Sequence, residues 1–535
     1  MALFPSFHRD TFARHRLPPE SDWPTFLFDL LELKFPPQLN CAQRLLDDAL
    51  EQIDTSKVAV IWKDGVWSYA KLAAETNRIC HALLELEVEP GNRVLLRGNN
   101  SPLTFAAWLA IVKIGAIAVC AMPMLRSGEL GQIVEKANIS LALCETDLGE
   151  ELSRVESTAL KKIVTYGGGG ELEKRMAGKS TDFAAVRTSQ DDVCVIAFTS
   201  GTTGQPKATM HFHRDVMAMC ETFARHMIPA DSSSIFTGTP PIAFTFGLGA
   251  LLVFPLYFRA AIALPEASTP VALANAIQKF GATHIWTSPT AYKAMVAITP
   301  ECDFSTIQIC VSAGEMLSAA VSDLWFAKTG IRLIDGIGGT EMMHIFISAC
   351  GSDIRVGSTG RPVPGYIATL FDKFHCEIHG AGTGLLGVRG PTGCRYLDDP
   401  RQKQYVVEGW NMTGDIYRRD EDGYYWFVAR ADDMIVSSGY NIAGPEVETA
   451  LLLHPMVQEC AVIGWPNAER GQIVKAFVVL KNPNLGDKIL AKSLQDHVKA
   501  TLAPYKYPRD LVFVAELPKT ATGKLLRNAL RPERH

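Results

Sequence analysis

The chain lacks the features that mark nucleic-acid-binding and disulfide-rich proteins. Its 52 Lys and Arg residues are outnumbered by 57 Asp and Glu residues, which gives a net charge of −5. No basic excess is therefore available to neutralise the phosphates of a nucleic acid. The 12 cysteines are scattered singly, without a Cys-x-x-Cys pair, which argues against a disulfide framework or a zinc cluster. We expect reduced thiols, a cytoplasmic location and no nucleic-acid partner.

The sequence also lacks an uninterrupted apolar run of membrane-spanning length. Its longest apolar stretch, residues 105–125, contains Lys113 near the middle and Pro123 near the end. This pattern favours a buried helix followed by a strand over a membrane span. Residues 1–24 mix Phe, His, Arg, Asp and Pro without an apolar core, so we expect neither a signal peptide nor a membrane partner.

The patterns along the chain predict an α/β fold. With 535 residues the chain is too long for a single core, and we expect two to four domains. Strand and helix patterns alternate over residues 92–144, which indicates parallel sheets with helices on their faces. Short β-type patterns fill residues 355–428, and a change of composition near 430–433 marks the start of a last, small α+β segment.

A glycine- and hydroxyl-rich stretch follows an apolar strand pattern at residues 193–198. It reads Thr-Ser-Gly-Thr-Thr-Gly-Gln-Pro-Lys and spans residues 199–207. Glycines let the backbone approach a ligand, while backbone N–H groups, hydroxyls and the lysine supply donors and charge for phosphate oxygens. Ala208 stands where a Walker A loop has its magnesium-binding hydroxyl. The stretch therefore predicts a polyphosphate-binding loop of another type.

This loop resembles the phosphate loop of the adenylate-forming superfamily, which includes acyl- and aryl-CoA ligases, luciferases and peptide-synthetase adenylation domains. Further stretches resemble other motifs of that superfamily in the same order. They are Asp-Gly-Ile-Gly-Gly-Thr-Glu at 335–341, Thr-Gly-Asp at 413–415, Arg-Ala-Asp-Asp at 430–433 and Pro-Lys-Thr-Ala-Thr-Gly-Lys at 518–524. We interpret the stretch 335–341 as a glycine-rich turn that follows a strand. Over nearly its whole length, the chain resembles benzoate–CoA ligases and especially 2-aminobenzoate–CoA ligases.

The resemblance implies a role for each matching residue. The catalytic set comprises Lys207, Thr340, Glu341 (which also binds the metal) and Lys524, and the phosphate loop comprises Thr199, Ser200, Gly201, Thr202, Thr203 and Gly204. The AMP-binding set comprises Ala313, Gly314, Glu315, Asp335, Gly336, Ile337, Thr340, Asp415 and Arg430. The aryl acid pocket comprises Thr245, Phe246, Gly338, His344 and Ile345, and Asp432 is the hinge. Ser438, Gly439 and Tyr440 form the loop of the thiol step.

The resemblance also implies the domain organisation and the substrates. A large N-terminal domain, residues 1–430, should contain parallel β-sheets flanked by helices and a small β-barrel-like subdomain. A hinge at 431–433 should lead to a small, mobile α+β C-terminal domain at 434–535. The expected substrates and cofactors are ATP, Mg²⁺, coenzyme A and an aryl carboxylic acid, and the expected assembly is a monomer or homodimer.

The identity of the acid rests on fewer residues. The hydroxyl of Thr245 could accept a hydrogen bond from an ortho-amino group, which makes 2-aminobenzoate the first choice. Benzoate or another small aryl acid is the alternative, and transfer of the aryl group to a carrier protein rather than to free CoA is the second alternative. The reaction would form aryl-AMP and pyrophosphate, and then aryl-CoA and AMP.

The first prediction concerns Lys524. Attack of a carboxylate on the α-phosphorus of ATP brings two anions together, and a lysine near the reacting oxygens offsets their charge. We expect Lys524→Ala to abolish most aryl-adenylate formation but to spare thioester formation from pre-made aryl-adenylate. Single-turnover assays of the two half-reactions measure this difference. Equal losses in both half-reactions would contradict the role.

Overall fold

The computed structural model describes residues 3–199, 206–298, 301–437, 440–467, 470–519 and 525–531. Contacts between residues divide the chain into two compact units. The first unit contains Met1–Ala313, Ala319–Ala368 and Val388–Asn411, and the second contains Gly314–Ser318, Thr369–Gly387 and Met412–His535. The domain boundaries proposed from the sequence remain a prediction.

The first unit contains two large sheets, each parallel except at its edges. Over the described residues the larger sheet has the spatial order Arg361–Pro362, Ile345–Ser348, Leu333–Gly338, Ile309–Ser312, His284–Thr287, Ile235–Gly238, Ala261–Ala263, Val58–Trp62 and Gly65–Ser68. The other has the order Lys162–Tyr166, Leu141–Glu145, Arg93–Arg97, Ile117–Ala121, Val193–Thr199 and Lys207–Phe212. In the second sheet only the last pair is antiparallel.

Helices separate most of these strands, as the alternating pattern predicted. The α-helices of the first unit are Phe12–His15, Asp48–Leu50, Tyr69–Glu85, Pro102–Lys113, Ser127–Ala137, Gly149–Ser153, Glu171–Met176, His213–Met219, Arg225–Met227, Thr245–Leu248, Phe254–Phe258, Pro270–Phe280, Pro289–Ile298, Ala319–Thr329 and Gln402–Tyr405. Single π-helical turns, Gln43–Asp47, Cys220–Ala224 and Gly249–Val253, extend three of them. None of the helices in the described ranges is long and apolar enough to cross a membrane.

Shorter strands lie between residues 367 and 430. They are Ile367–Phe371, Glu377–Ile378, Gly382–Arg389, Val406–Val407, Trp410–Arg419 and Tyr425–Arg430. Within the first unit, Val406–Val407 pairs with the start of Trp410–Arg419. Within the second unit, the rest of Trp410–Arg419 forms an antiparallel hairpin with Tyr425–Arg430.

The end of the chain is the α+β segment that the sequence predicted. Its strands are Met434–Ser437, Tyr440–Ala443, Val457–Asn467, Gly471–Leu480 and Asp510–Phe513, and its helices are Gly444–Leu452 and Lys488–Thr501. The helix Lys488–Thr501 begins after Asp487, whose side chain accepts the backbone N–H of Leu490 and caps the first turn. Both helices contribute to one hydrophobic core with the sheet.

Two local predictions from the sequence were wrong. Residues 335–338 do not form a turn but continue the strand Leu333–Gly338, because they pair with the antiparallel strand Ile345–Ser348. Gly336 has no side chain there because a Cβ atom would lie 2.7 Å from the side chain of Ile345. The apolar run at residues 251–257 predicts a helix that begins there, but in the structure the helical turns already begin at Thr245.

A buried ion pair lies in the first unit, under the strand Lys207–Phe212. The guanidinium of Arg395 bonds to the carboxylate of Asp215, and both side chains are inaccessible to solvent. Burial opposes ionisation of Asp215, but the charge of Arg395 holds the pKa of that carboxyl below its ordinary value. Arg395 also lies over the ring of Phe212, with 4.0 Å from Cζ to the ring centroid.

We expect Asp215→Ala to destabilise the protein strongly, by about 3 kcal/mol, since it leaves the charge of Arg395 buried without a partner. The matched control is Asp48→Ala, which removes the exposed pair with Arg44 and should cost about 1 kcal/mol or less. The first transition in urea unfolding, followed by fluorescence and circular dichroism, compares the variants. Equal midpoints for the two variants would contradict the expectation.

Candidate active site

The strand Lys207–Phe212 separates the core from the candidate site. Successive side chains of a strand point to opposite faces, and the apolar ones of this strand are buried in the core: Ala208, Met210 and Phe212. Lys207 and His211 occupy the other face. Lys207 pairs in register with Thr199, the first residue of the predicted phosphate loop. The strand therefore places a lysine at the end of that loop.

The turn Thr340–Met342, which carries Glu341, is held at two carbonyl groups. His211 Nε2 donates to the carbonyl of Thr340 at 2.7 Å, and Thr392 Oγ1 donates to the carbonyl of Met342 at 2.7 Å. The next residue, Met343, is buried and has a φ of +67°, which is unfavourable for a side chain of its type. Such strain persists where the surrounding structure imposes it, often at functional sites.

One tyrosine, Tyr396, contacts both the carboxylate of Glu341 and the ammonium group of Lys207. Tyr396 Oη donates to Glu341 Oε1 at 2.5 Å. Lys207 Nζ lies 5.3 Å from the centroid of the same ring, within the range of a cation–π interaction. The sequence analysis missed Tyr396 and His211, and no motif in their vicinity identified them.

The candidate adenine-binding residues lie at the carboxyl ends of neighbouring strands. Ser312 pairs with Asp335 in parallel register, so Ala313 directly follows the position beside Asp335. Loss of hydration raises the pKa of the Asp335 carboxyl to about 8, partly opposed by a hydrogen bond with the backbone of Gly336. Ligands of α/β sheets commonly bind at this edge. Gly314 has a φ of +88°, a conformation that favours glycine.

In the second unit, the structure brings together Asp415 and Arg430. They face each other across the antiparallel hairpin, and Arg430 Nη1 donates to Asp415 Oδ1 at 2.9 Å and to the carbonyl of Thr413 at 3.1 Å. Gly414 has a φ of +77°, and a Cβ atom there would lie 3.0 Å from Arg430 Nη2. The glycine thus admits the guanidinium next to the backbone.

The hinge candidate Asp432 is exposed and lies in the short 3-10 helix Ala431–Asp433. Its carbonyl accepts a hydrogen bond from Arg531. Tyr440 is half exposed and stacks on Tyr505, with ring centroids 4.5 Å apart. Eight further site residues predicted from the sequence lie outside the described ranges: Ser200, Gly201, Thr202, Thr203, Gly204, Ser438, Gly439 and Lys524.

The candidate acid pocket is built around His344 in the first unit. Its imidazole is surrounded by aromatic rings, whose centroids lie at 4.7 Å (Phe254), 5.1 Å (Phe223), 5.8 Å (Phe246) and 6.3 Å (Trp286). Burial lowers the pKa of His344 to about 3, only partly opposed by the nearby backbone of Phe246. The imidazole is therefore neutral at physiological pH. Neither of its nitrogens has a hydrogen-bond partner of ordinary geometry among the described residues.

Two glycines keep the space around this imidazole. A Cβ atom on Gly249 would lie 2.6 Å from His344 Cδ2 and 2.7 Å from Nε2. A Cβ atom on Gly338 would lie 2.7 Å from the carbonyl oxygen of His344, and Gly338 pairs with Ile345 across the antiparallel strands. The sequence predicted Gly338 but missed Gly249, Phe223, Phe254 and Trp286. Their contacts with His344 connect helices and strands that are far apart in the sequence, so no local sequence pattern indicates these contacts.

A buried cluster of Cys41, Cys194 and His213, absent as a spacing motif in the sequence, brings potential metal ligands within 4.8 Å of one another. The backbone N–H of Cys41 donates to His213 Nδ1 at 3.1 Å, and the Cys41 thiol lies 3.3 Å from the same nitrogen. The hydrogen bond from the backbone of Cys41 thus occupies the lone pair of His213 Nδ1.

Comparison with known proteins identifies the family of the chain. The profile of the AMP-binding enzyme family matches residues 47–395, and that of the AMP-binding enzyme C-terminal domain matches residues 446–524. The chain belongs to the AMP-binding enzyme family. Enzymes of this family use ATP, Mg²⁺ and CoA.

Individual relatives cover almost the whole chain. The benzoate–CoA ligase of Thauera aromatica is 35% identical over 516 residues, 93% of this chain and 97% of the relative. The crystal structure of the anthranilate CoA ligase AuaEII in complex with anthranoyl-AMP has a TM-score of 0.88 and 33% identity, covering 94% of this chain and 98% of that one. The crystal structures of a benzoate CoA ligase from Burkholderia xenovorans LB400 give a TM-score of 0.84 and 31% identity, covering 92% of this chain and 100% of that one.

These relatives confirm the fold class and the kind of enzyme. The chain has the α/β fold of adenylate-forming enzymes, with mixed parallel sheets flanked by helices, a curled sheet and a C-terminal α+β region. It is an acyl- or aryl-CoA ligase, that is, an acid–thiol ligase.

The residues around Glu341 fit a magnesium ion. Oε1 of this carboxylate accepts the hydroxyl of Tyr396, while Oε2 has no hydrogen-bond donor within the described ranges. A carboxylate oxygen of this kind is the ligand that Mg²⁺ takes together with substrate phosphates. When bound, the ion would offset the charge of the phosphate oxygens.

We expect Gly249→Ala to impair use of the acid but not binding of ATP. The new methyl group would overlap with His344 and push the imidazole into the candidate acid pocket. We therefore expect kcat/KM for the acid to fall about tenfold. Initial rates at saturating ATP and varied acid measure this effect, and KM for ATP should stay unchanged.

The matched control is Gly128→Ala, since a Cβ atom on Gly128 meets nothing within 4 Å. This variant should behave as the wild type. A loss of the same size in both variants, or a rise in KM for ATP with Gly249→Ala, would contradict the expectation.

Proposed function

We propose that the chain is a 2-aminobenzoate–CoA ligase, which forms 2-aminobenzoyl-AMP and pyrophosphate from ATP and then transfers the acyl group to CoA. The observation that carries this proposal is the buried, neutral imidazole of His344, unpaired within the described ranges and enclosed by aromatic rings. A flat aromatic acid suits a slot with aromatic walls and few polar groups.

The polar groups of the slot match a benzoate with an ortho-amino group better than an unsubstituted benzoate. A neutral imidazole offers one N–H donor and one acceptor lone pair, so His344 can donate to a carboxylate oxygen. The hydroxyl of Thr245, whose residue is 7% exposed, makes no hydrogen bond with another described residue and can accept one from the amino group. A buried polar group that only the correct substrate satisfies discriminates against an analogue that lacks the substituent.

The nucleotide would be bound by the remaining site residues. Lys207 and the residues 199–204 hold the triphosphate, Thr340 bonds to the α-phosphate, and Glu341 binds the magnesium ion. Ala313, Gly314, Glu315, Asp335, Gly336 and Ile337 flank the adenine. Asp415 accepts hydrogen bonds from the ribose hydroxyls, for which an acceptor-only side chain is suited, and Arg430 orients Asp415 through their 2.9 Å hydrogen bond.

The two half-reactions place different demands on the C-terminal segment. Lys524 offsets negative charge while the carboxylate attacks the α-phosphorus, and pyrophosphate leaves with the electron pair of the broken P–O bond. The thiol of CoA then attacks the acyl carbon and AMP departs. Rotation of the segment 434–535 about Asp432 exchanges Lys524 for the loop Ser438–Tyr440 between the two steps, a hinge motion of the kind known for other enzymes.

Benzoate is the second candidate substrate. The benzoate–CoA ligase of Thauera aromatica is 35% identical to this chain, and the walls of the slot would accept an unsubstituted ring equally well. The two candidates differ in whether the hydroxyl of Thr245 contributes to binding.

The test compares kcat/KM for 2-aminobenzoate, benzoate and 2-hydroxybenzoate in the wild type and in Thr245→Val. We expect the wild type to prefer 2-aminobenzoate, and Thr245→Val to lower kcat/KM for this acid about tenfold while leaving benzoate unchanged. The loss follows from the missing acceptor for the amino group.

Thr76→Val is the control, because it makes the same chemical change at a buried hydroxyl in the helix Tyr69–Glu85, away from the pocket. It should leave all three values unchanged. An order-of-magnitude preference of the wild type for benzoate would overturn the ranking of the two acids.

A further inference from the structure

Tyr396 joins the two charged groups on which nucleotide binding depends. Its hydroxyl donates to Glu341 Oε1 at 2.5 Å, and its ring lies 5.3 Å from Lys207 Nζ. The carboxylate and the ammonium thus contact different parts of one side chain. Removing the hydroxyl alone would change the environment of Glu341, whereas removing the ring would change that of both groups.

The position of Tyr396 is fixed by its own segment. Residues 395–397 lie beside the strand Lys207–Phe212, since the N–H of Met210 donates to the carbonyl of Arg395 and the N–H of Leu397 donates to the carbonyl of Ala208, both at 2.8 Å. The side chain of Tyr396 is 1% exposed. It has little freedom to take another rotamer in such surroundings.

The hydroxyl of Tyr396 is the donor of this hydrogen bond, because a carboxylate accepts hydrogen bonds and does not donate them. Hydrogen bonds from a hydroxyl to a carboxylate are short and stronger than those between neutral groups. The bond therefore fixes which oxygen of Glu341 is occupied and leaves Oε2 as the oxygen that can face a cation.

We propose that Tyr396 is a positioning residue, whose hydroxyl orients Glu341 toward the magnesium ion of Mg·ATP and whose ring holds Lys207 at the triphosphate. This inference rests on the proposed roles of Glu341 and Lys207. It separates two contributions to ATP binding: the hydroxyl acts only when the metal is present, and the ring acts with or without the metal.

The test measures equilibrium binding of ATP by isothermal titration calorimetry, once with Mg²⁺ and once with EDTA. We expect Tyr396→Phe to weaken binding of Mg·ATP roughly tenfold, the effect of losing one hydrogen bond to a charged group, and to leave binding of ATP in EDTA unchanged. The Mg²⁺ concentration for half-maximal pyrophosphate release should rise as well. Tyr396→Leu should weaken binding under both conditions.

Tyr69→Phe is the matched control. The hydroxyl of Tyr69 is also buried and donates to an acceptor, the carbonyl of Ala260, at 2.9 Å, but it lies in the core away from the site. This variant should bind ATP as the wild type does under both conditions. A purely structural role of Tyr396 would weaken binding equally with and without Mg²⁺, and that result, or no weakening at all, would overturn the proposal.

A double-mutant cycle with Glu341→Gln keeps the test decisive if Tyr396→Phe lowers stability. If Tyr396 acts through Glu341, the double variant should bind Mg·ATP no more weakly than Glu341→Gln alone. Additive losses would contradict the proposal. A wild type that releases no pyrophosphate with any aryl acid would refute the proposed function itself, whereas a failure of the inference leaves that wild-type activity intact.

Discussion

The buried ion pair between Arg395 and Asp215 is the interaction on which the rest of the site depends. It ties residues 395–397 to the helix His213–Met219, which follows directly after the strand Lys207–Phe212. Because a buried charge without its partner is very unfavourable, the segment has one stable position. That position places Tyr396 against Glu341 and next to Lys207, so the alignment of the charged groups follows from an interaction in the core.

The site combines two environments with opposite requirements. Around Lys207 and Glu341 the groups are charged and hydrogen-bonded, as a polyphosphate and a hard cation require. Around His344 the walls are aromatic, and burial keeps the imidazole neutral. The turn Thr340–Met343 connects both environments, since Glu341 and His344 are only three residues apart. The strained φ of Met343 lets the chain reverse direction within this distance.

The sequence predicted what depends on local pattern. The apolar run 193–198 is a strand, the apolar stretch 105–125 is a helix followed by a strand, and the α/β class of the fold is confirmed. The turn predicted for residues 335–338 was wrong because their conformation depends on pairing with Ile345–Ser348. Tyr396 and His211 escaped notice for a similar reason. Their partners Glu341 and Thr340 are 55 and 129 residues away, and no local spacing encodes such contacts.

The central claim is that this chain activates an aryl carboxylate as its adenylate. The most direct test is ATP–pyrophosphate exchange in the absence of any thiol, with and without 2-aminobenzoate. The account predicts rapid exchange of labelled pyrophosphate into ATP that requires both the aryl acid and Mg²⁺. Exchange that is independent of the acid, or no exchange with any aryl acid while ATP still binds, would contradict it.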